Sequence, residues 1–348
     1  MAYTTINKST DFFNIKLWTG NASARSITGV GFQPDFVWTK RRDSAGWHYL
    51  QDAVRGAANT IYSNATNIQT SSGTGGVTSF DSDGFSIGTY LDINANGGTY
   101  VGWNWKANGQ GSANNDGSIN TTYTSANTTA GISIVKYTGN GSVSTVGHGL
   151  GVAPKLIIVK RLTGGTEAWP VDCRAASGIM YLNETGALGS YGDSSPFPST
   201  APTTTVFSIG TANNANANGS DFVAYCFAEK KGFSKIGTYS GNGNASGSFI
   251  YTGFKPAFAI VKCTSHNGES WWMGDNKRPG YNVSQKALLA ENSAAEVDAS
   301  YQAVDFLSNG IKWRGTNDRV NASGKTYTYI AFAEAPLVGS NNIPATAR

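Results

Sequence analysis

A chain of 348 residues with only 14% charged side chains and a net charge of 26 − 22 = +4 has neither the concentrated basic stripe of a nucleic-acid binder nor the charge excess of a disordered protein. Aromatic residues at 12% and 43 glycines point instead to hydrophobic cores joined by many turns. Three cysteines, Cys173, Cys226 and Cys263, cannot all pair within one chain and stand at no zinc or thioredoxin spacing, so free buried thiols made in a reducing compartment are expected.

Read in chain order, residues 1–11 form a terminal arm without the apolar core of a signal peptide, and no apolar stretch approaches the length of a membrane span. A repeating pattern then begins. Trp18-Thr19-Gly20-Asn21 opens it, and Tyr137-Thr138-Gly139-Asn140 and Tyr239-Ser240-Gly241-Asn242 reopen it. Each opening is followed by a Pro before an apolar strand that ends in Lys: Pro34 to Lys40, Pro154 to Lys160 and Pro256 to Lys262. The offsets of 120 and 102 residues are the same for Pro and for Lys, which marks a tandem repeat. The three lysines read as solvated stems covering apolar surface.

After the central strand each copy carries an aromatic residue, an acid and a base: Trp47, Asp52 and Arg55; Trp169, Asp172 and Arg174; Trp272, Asp275 and Arg278. An aromatic plate with flanking hydrogen-bonding charges suits a sugar ring, and these nine residues are the candidate glycan site. The competing reading is a Trp that plugs the core beside a structural Asp–Arg pair, because residues needed by a fold recur with it. Copies one and three next show Asp83-Gly84 and Asn309-Gly310 between alternating apolar residues, a hairpin signal that copy two lacks at Thr205-Val206-Phe207. Asp81-Ser82-Asp83-Gly84 has the start of a calcium loop, but the third copy keeps the turn without the carboxylates, so no metal is expected. Each copy closes on an alternating aromatic strand: Tyr100–Trp105, Phe222–Phe227 and Tyr327–Phe332. Ala287–Asn292 reads as either a short helix or a strand.

The expected architecture is all-β, with three tandem sandwich repeats of jelly-roll or lectin-like type at residues 12–106, 131–231 and 232–336. A linker of Gly, Asn, Ser and Thr at 107–130 gives copy one room to swing or dock separately, while copies two and three, joined by Lys230-Lys231-Gly232, should pack as one body. The arm and the tail at 337–348 are extensions suited to docking on a partner. No Gly-x-Ser-x-Gly elbow is present, acids are few and isolated, and His148 in Gly147-His148-Gly149 reads as a loop-fixing residue, so no enzyme, catalytic residue or cofactor is expected; a glycan depolymerase is the enzymatic alternative, weighed against by that shortage of acids.

These motifs resemble a family of repeat proteins encoded by tailed bacteriophages, known from marine cyanophages and pelagiphages. The resemblance rests on Met1-Ala2-Tyr3-Thr4-Thr5, Gly31-Phe32-Gln33-Pro34-Asp35-Phe36-Val37-Trp38, Asp52 with Arg55-Gly56, Asp83-Gly84-Phe85, Val146–Gly151 and Ala331-Phe332-Ala333-Glu334, and it covers nearly the whole chain. It implies a virion component assembled in the host cytoplasm: a tail fibre or receptor-binding protein, or a head decoration. Its partners would be other virion proteins and host surface polysaccharide, with neither nucleic acid nor membrane insertion. A homotrimer is compatible with this, although an internal triplication can replace trimerisation.

Overall fold

The computed structural model describes residues 4–338. It shows the expected all-β sandwich architecture. Three antiparallel six-stranded sheets dominate. The first orders its strands Phe13–Thr19, Thr99–Trp105, Phe36–Arg41, His48–Asp52, Asn59–Tyr62 and Thr70–Ser71. The third repeats that order with Ser234–Ser240, Thr326–Pro336, Phe254–Cys263, Trp272–Asp275, Lys286–Leu289 and Val297–Asp298. In the second, Ile132–Thr138, Asp221–Phe227, Leu156–Arg161, Pro170–Cys173 and Gly178–Tyr181 occupy the first five places. Its sixth strand lies at the other edge and comes from the supposed linker: Tyr123–Asn127 pairs antiparallel with Ile132–Lys136.

Period-two alternation gives each central strand two buried faces. Phe36 and Trp38 join the large core shared by all three sheets, while Val37 between them packs outward under a small sheet of Arg25–Thr28, Gly84–Ile87 and Val77–Asp81. Leu156 and Ile158 likewise face the shared core, and Ile157 and Val159 face the second sandwich's own core. That sandwich has only the two-stranded cover Ser144–Gly147 with Val206–Ile209, which follows from its missing hairpin. The third is covered by Phe249–Tyr251, Gly310–Trp313 and Val304–Leu307. Lys286–Leu289 is a strand, settling the open reading of that segment.

Gly20, Gly139 and Gly241 of the repeated openings are required by close approach. A Cβ on them would stand 2.1, 2.5 and 2.2 Å from the carbonyl oxygens of Ala95, Ala217 and Ala322. Asn94, Asn216 and Asn321 complete this lock, each accepting the backbone N–H of the opening Asn and donating to the carbonyls of Gly88, Gly210 and Gly315. In the hairpins the turns are Ser82-Asp83 and Ser308-Asn309. The following Gly84 and Gly310 instead let a neighbouring strand approach, since a Cβ would meet Ile27 O at 2.0 Å and Ile250 O at 2.2 Å.

The three sheets meet around one aromatic centre. Phe36 stacks on Tyr225 at 4.5 Å, Phe13 on Phe332 at 5.2 Å, and Trp103 lies 5.3 Å from Phe258. The void left between them is only about 20 Å³ and wholly apolar, so it is packing space that water has no polar partner to occupy. This corrects the picture of a separately swinging first copy, whose inner face is part of the shared core. The arm is corrected too, because Ile6 is buried in that core and Thr4 donates to Lys231 O. The Met1–Tyr3 start of the arm and the tail from 339 onward lie outside the described residues. A shared core predicts one calorimetric unfolding transition for the whole chain, and Phe13→Ala should lower its free energy by about 3–5 kcal/mol; two separated transitions would contradict the shared core.

Candidate functional site

Strand register decides which of the nine candidate residues correspond. Phe36 pairs with Asp52, Phe258 with Asp275 and, in the same place, Leu156 with Cys173. Asp172 therefore sits one residue out of phase and faces the opposite side of its sheet. Counting along the same strands, Trp47 corresponds to Ala168 and Ser270, whereas Trp169 matches His48 and Trp271. The apparent threefold recurrence is thus a coincidence of spacing: the three tryptophans occupy different positions, and Asp and Arg correspond only in the first and third copies.

Asp52 and Arg55 are buried where the first sheet meets the second. Arg55 Nε donates to Asp52 Oδ2 at 2.6 Å, and Tyr225 of the second sheet donates to the same oxygen at 2.7 Å. Remaining guanidinium donors reach Leu50 O, Asn59 O and Gln69 Oε1. Asp275 and Arg278 repeat the arrangement where the third sheet meets the first. Arg278 Nε donates to Asp275 Oδ2 at 2.6 Å and Trp103 Nε1 to the same oxygen at 3.1 Å, with the guanidinium over the Trp103 ring. Glu296 takes the role of Gln69, accepting from Arg278 at 3.0 Å and from Arg42 at 3.1 Å. Burial would raise Glu296, but Arg278 and Arg42 outweigh it and hold its carboxyl below the usual value. At the third seam, between second and third sheets, the matching positions are Cys173, Ala176, Leu188 and Ile330. There the surviving polar contact is Cys173 Sγ to Thr328 Oγ1 at 3.0 Å.

Asp172, Arg174 and Tyr191 form a separate group on the outer side of the second sheet. Asp172 accepts from Arg174 and Tyr191, each at 2.8 Å. Trp169 and Trp272 are fully buried, Trp169 donating to Ala65 O of the first sandwich and Trp272 packing at 5.0 Å against Trp313. Eight of the nine residues are thus spoken for inside the protein or on its partly covered flank, and the glycan platform expected of them is corrected accordingly. Trp47 differs, being 38% exposed.

Trp47 belongs to an aromatic group at the paired ends of His48–Asp52 and Asn59–Tyr62 in the first sheet. Its ring meets Tyr62 edge to face at 4.5 Å, and Tyr62 meets Tyr49 in the same way at 5.0 Å. Asp92 lies beside them, its Oδ2 accepting long bonds of 3.4 Å from the Trp47 N–H and the Tyr49 hydroxyl. Gly46 allows this approach, since a Cβ there would stand 2.6 Å from Asp92 Oδ1.

Sequence reasoning missed the lysines. Lys40, Lys160 and Lys262 are fully buried, so the solvated-stem reading is corrected. Their short strands end at the seams, where the stems have no route to water and the ammonium groups bond to carbonyls. Lys160 donates to Glu167 O and across the seam to Thr66 O, and Lys262 to Glu269 O and across the seam to Thr185 O. Their fixed distance from Pro was the available signal. Burial pulls Lys160 down to about 7, and Lys40 and Lys262 to about 8. His48 accepts from Trp38 Nε1 on Nδ1, so its Nε2 carries the proton toward Asn292 O of the third sandwich. Burial and nearby Lys40 hold it well below the ordinary histidine value. His148 fixes its loop through Nδ1 to the Leu150 N–H and Nε2 to Thr203 O. Asp83 binds the Gly29 and Gly31 N–H groups, and Asp81 binds Ser79 and Ser86, so the supposed calcium loop is a set of internal caps.

Two measurements follow from the buried charges. Arg278→Met removes the partner of buried Asp275 and leaves Glu296 only Arg42 and Lys286, and should cost about 3–5 kcal/mol in denaturant melts, whereas the triple variant Arg278→Ala, Asp275→Cys and Glu296→Leu, which copies the second-to-third seam at these three positions, should recover part of that loss. Lys160 has a lower pKa folded than the 10.5 of a free lysine, so its stabilising contribution is present above 10.5 and is lost as pH falls toward about 7. Melting temperature should therefore rise with pH across that window, with a shallower slope in Lys160→Met.

No curated protein matches the chain. The chain belongs to the family described as Domain of unknown function (DUF7483), whose model matches residues 8–336.

Proposed function

We propose that this chain is a non-enzymatic structural component of a tailed-phage virion, a tail-fibre or receptor-binding element that contacts host surface glycan. The observation that supports this reading most is the destination of the charged and nucleophilic side chains. Asp52, Arg55, Asp275, Arg278, the three lysines, His48 and the three thiols are all buried, most of them in internal bonds that join three sandwiches into one block. Such a block presents loops and an aromatic cluster to solvent, which suits adhesion better than turnover. The unpaired thiols fit assembly in a reducing host cytoplasm before release. Salt outside the cell would screen charge-led recognition and leave stacking and hydrogen bonding.

A second reading, capsid head decoration, is favoured by the cyclic arrangement of the sheets, which would match a local threefold position. Immunogold labelling of purified virions separates the two. Gold on the tail is the expected result, gold over the head selects decoration, and unlabelled particles would overturn the virion reading. Incubation with host capsular polysaccharide should release no reducing ends; their release would make the chain a depolymerase.

A further inference from the structure

From the geometry we propose that the Trp47–Tyr62–Asp92 cluster is the carbohydrate-binding site, taking one pyranose ring of a neutral surface polysaccharide. This deepens the glycan-contact reading above and rests on it. The fold itself does not require these residues. Positions equivalent to Trp47 hold Ala168 and Ser270, and counting from the shared Asn94, Asn216 and Asn321 the positions equivalent to Asp92 hold Asn214 and Arg319. The second and third sandwiches fold without either residue. Exposed Trp47 is tied to Asp92, which directly follows exposed Tyr90 and Leu91, and it is such groupings of exposed apolar residues, not single ones, that mark binding surfaces.

The chemistry of the cluster is that of sugar recognition. Trp47 offers an apolar plate, met edge to face by Tyr62, which buried Tyr49 braces in the same way, and is therefore held in place before any ligand arrives. The axial C–H groups of a pyranose would lie on that plate. Asp92 is half-exposed and takes part in no ion pair among the described residues. Its two hydrogen bonds are both long, both fall on Oδ2, and Oδ1 is left for a sugar hydroxyl. A charge-assisted bond to a neutral hydroxyl is the strong kind of polar anchor. The hydroxyls of Tyr62 and Thr70, 3.1 Å apart and exposed, supply further donors and acceptors on the same flank. Tyr90 and Leu91, both exposed, extend the apolar rim.

The test is saturation-transfer NMR of the full chain against a panel of neutral oligosaccharides built from glucose, galactose, mannose and N-acetylglucosamine, followed by affinity titration of the best binder. Trp47→Ala and Asp92→Asn are compared with the parent, with thermal melts confirming that both variants fold. Binding by the parent at both low and high salt, weakened about tenfold or more by Trp47→Ala and severalfold by Asp92→Asn, would support the site. Binding that survives Trp47→Ala would overturn the site and leave glycan contact standing elsewhere on the chain. A parent that binds no sugar in the panel, nor extracted host polysaccharide, would overturn both the site and the glycan-contact reading. Loss on Trp47→Ala of attachment to another virion protein, without sugar binding, would make the cluster a protein dock.

Discussion

Everything in this molecule depends on three sheets closing on one another, and the closure is made by the same bonds at each seam. Gln69 N–H reaches Leu162 O of the second sandwich, Leu188 N–H reaches Thr264 O of the third, and Glu296 N–H reaches Arg42 O of the first. Donors run back the other way from the residue before each fourth strand's core: Trp169 to Ala65 O, Trp271 to Tyr181 O, and His48 to Asn292 O. The chain of contacts goes from one to two to three and returns to one. A closed set of heterologous contacts leaves no free copy of the interface to propagate into a filament.

Closure explains why charges sit so deep in a chain with few of them. A lysine at the end of each central strand is trapped when the seam forms; backbone carbonyls from both sandwiches replace the water of Lys160 and Lys262, and Arg41 O takes that place for Lys40. Burying an ion is expensive, so the carbonyl cages and the Asp–Arg pairs must be complete to be tolerated. The second-to-third seam shows the alternative inside the same molecule, with Cys173, Ala176, Leu188 and Ile330 where the other seams hold a charged network. The same backbone thus accommodates polar and apolar sets of side chains at these positions. The polar ones need the Tyr225 hydroxyl or Trp103 indole to satisfy the shared carboxylate oxygen.

Against this background the first sandwich's aromatic cluster stands out. Its Trp47 is exposed and its carboxylate is only loosely bonded, whereas aromatic residues and carboxylates at the seams are tightly held. Groups that serve the fold are satisfied internally; groups left with unused capacity at the surface are the ones free to meet a ligand.

By itself the sequence determined the strands and their faces. Alternation along Phe36-Val37-Trp38 and Leu156-Ile157-Ile158-Val159 dictates two buried sides, and the repeated Pro-to-Lys spacing dictates similar sheets. The missing hairpin in the second copy was legible as well. What the tertiary structure decided were the meanings of individual polar residues. Spacing could not place Asp172 out of phase with Asp52 and Asp275, since a single deleted residue changes the face of a strand without changing the words around it. Nor could it reveal that the 107–130 segment adds a strand, because polar Tyr123–Asn127 gains its stability from an edge it pairs with and not from any apolar pattern of its own. Whether a lysine is solvated or caged, and whether a tryptophan is a plug or a plate, depends on what lies across a seam about a hundred residues away, and that is settled only when the sheets close.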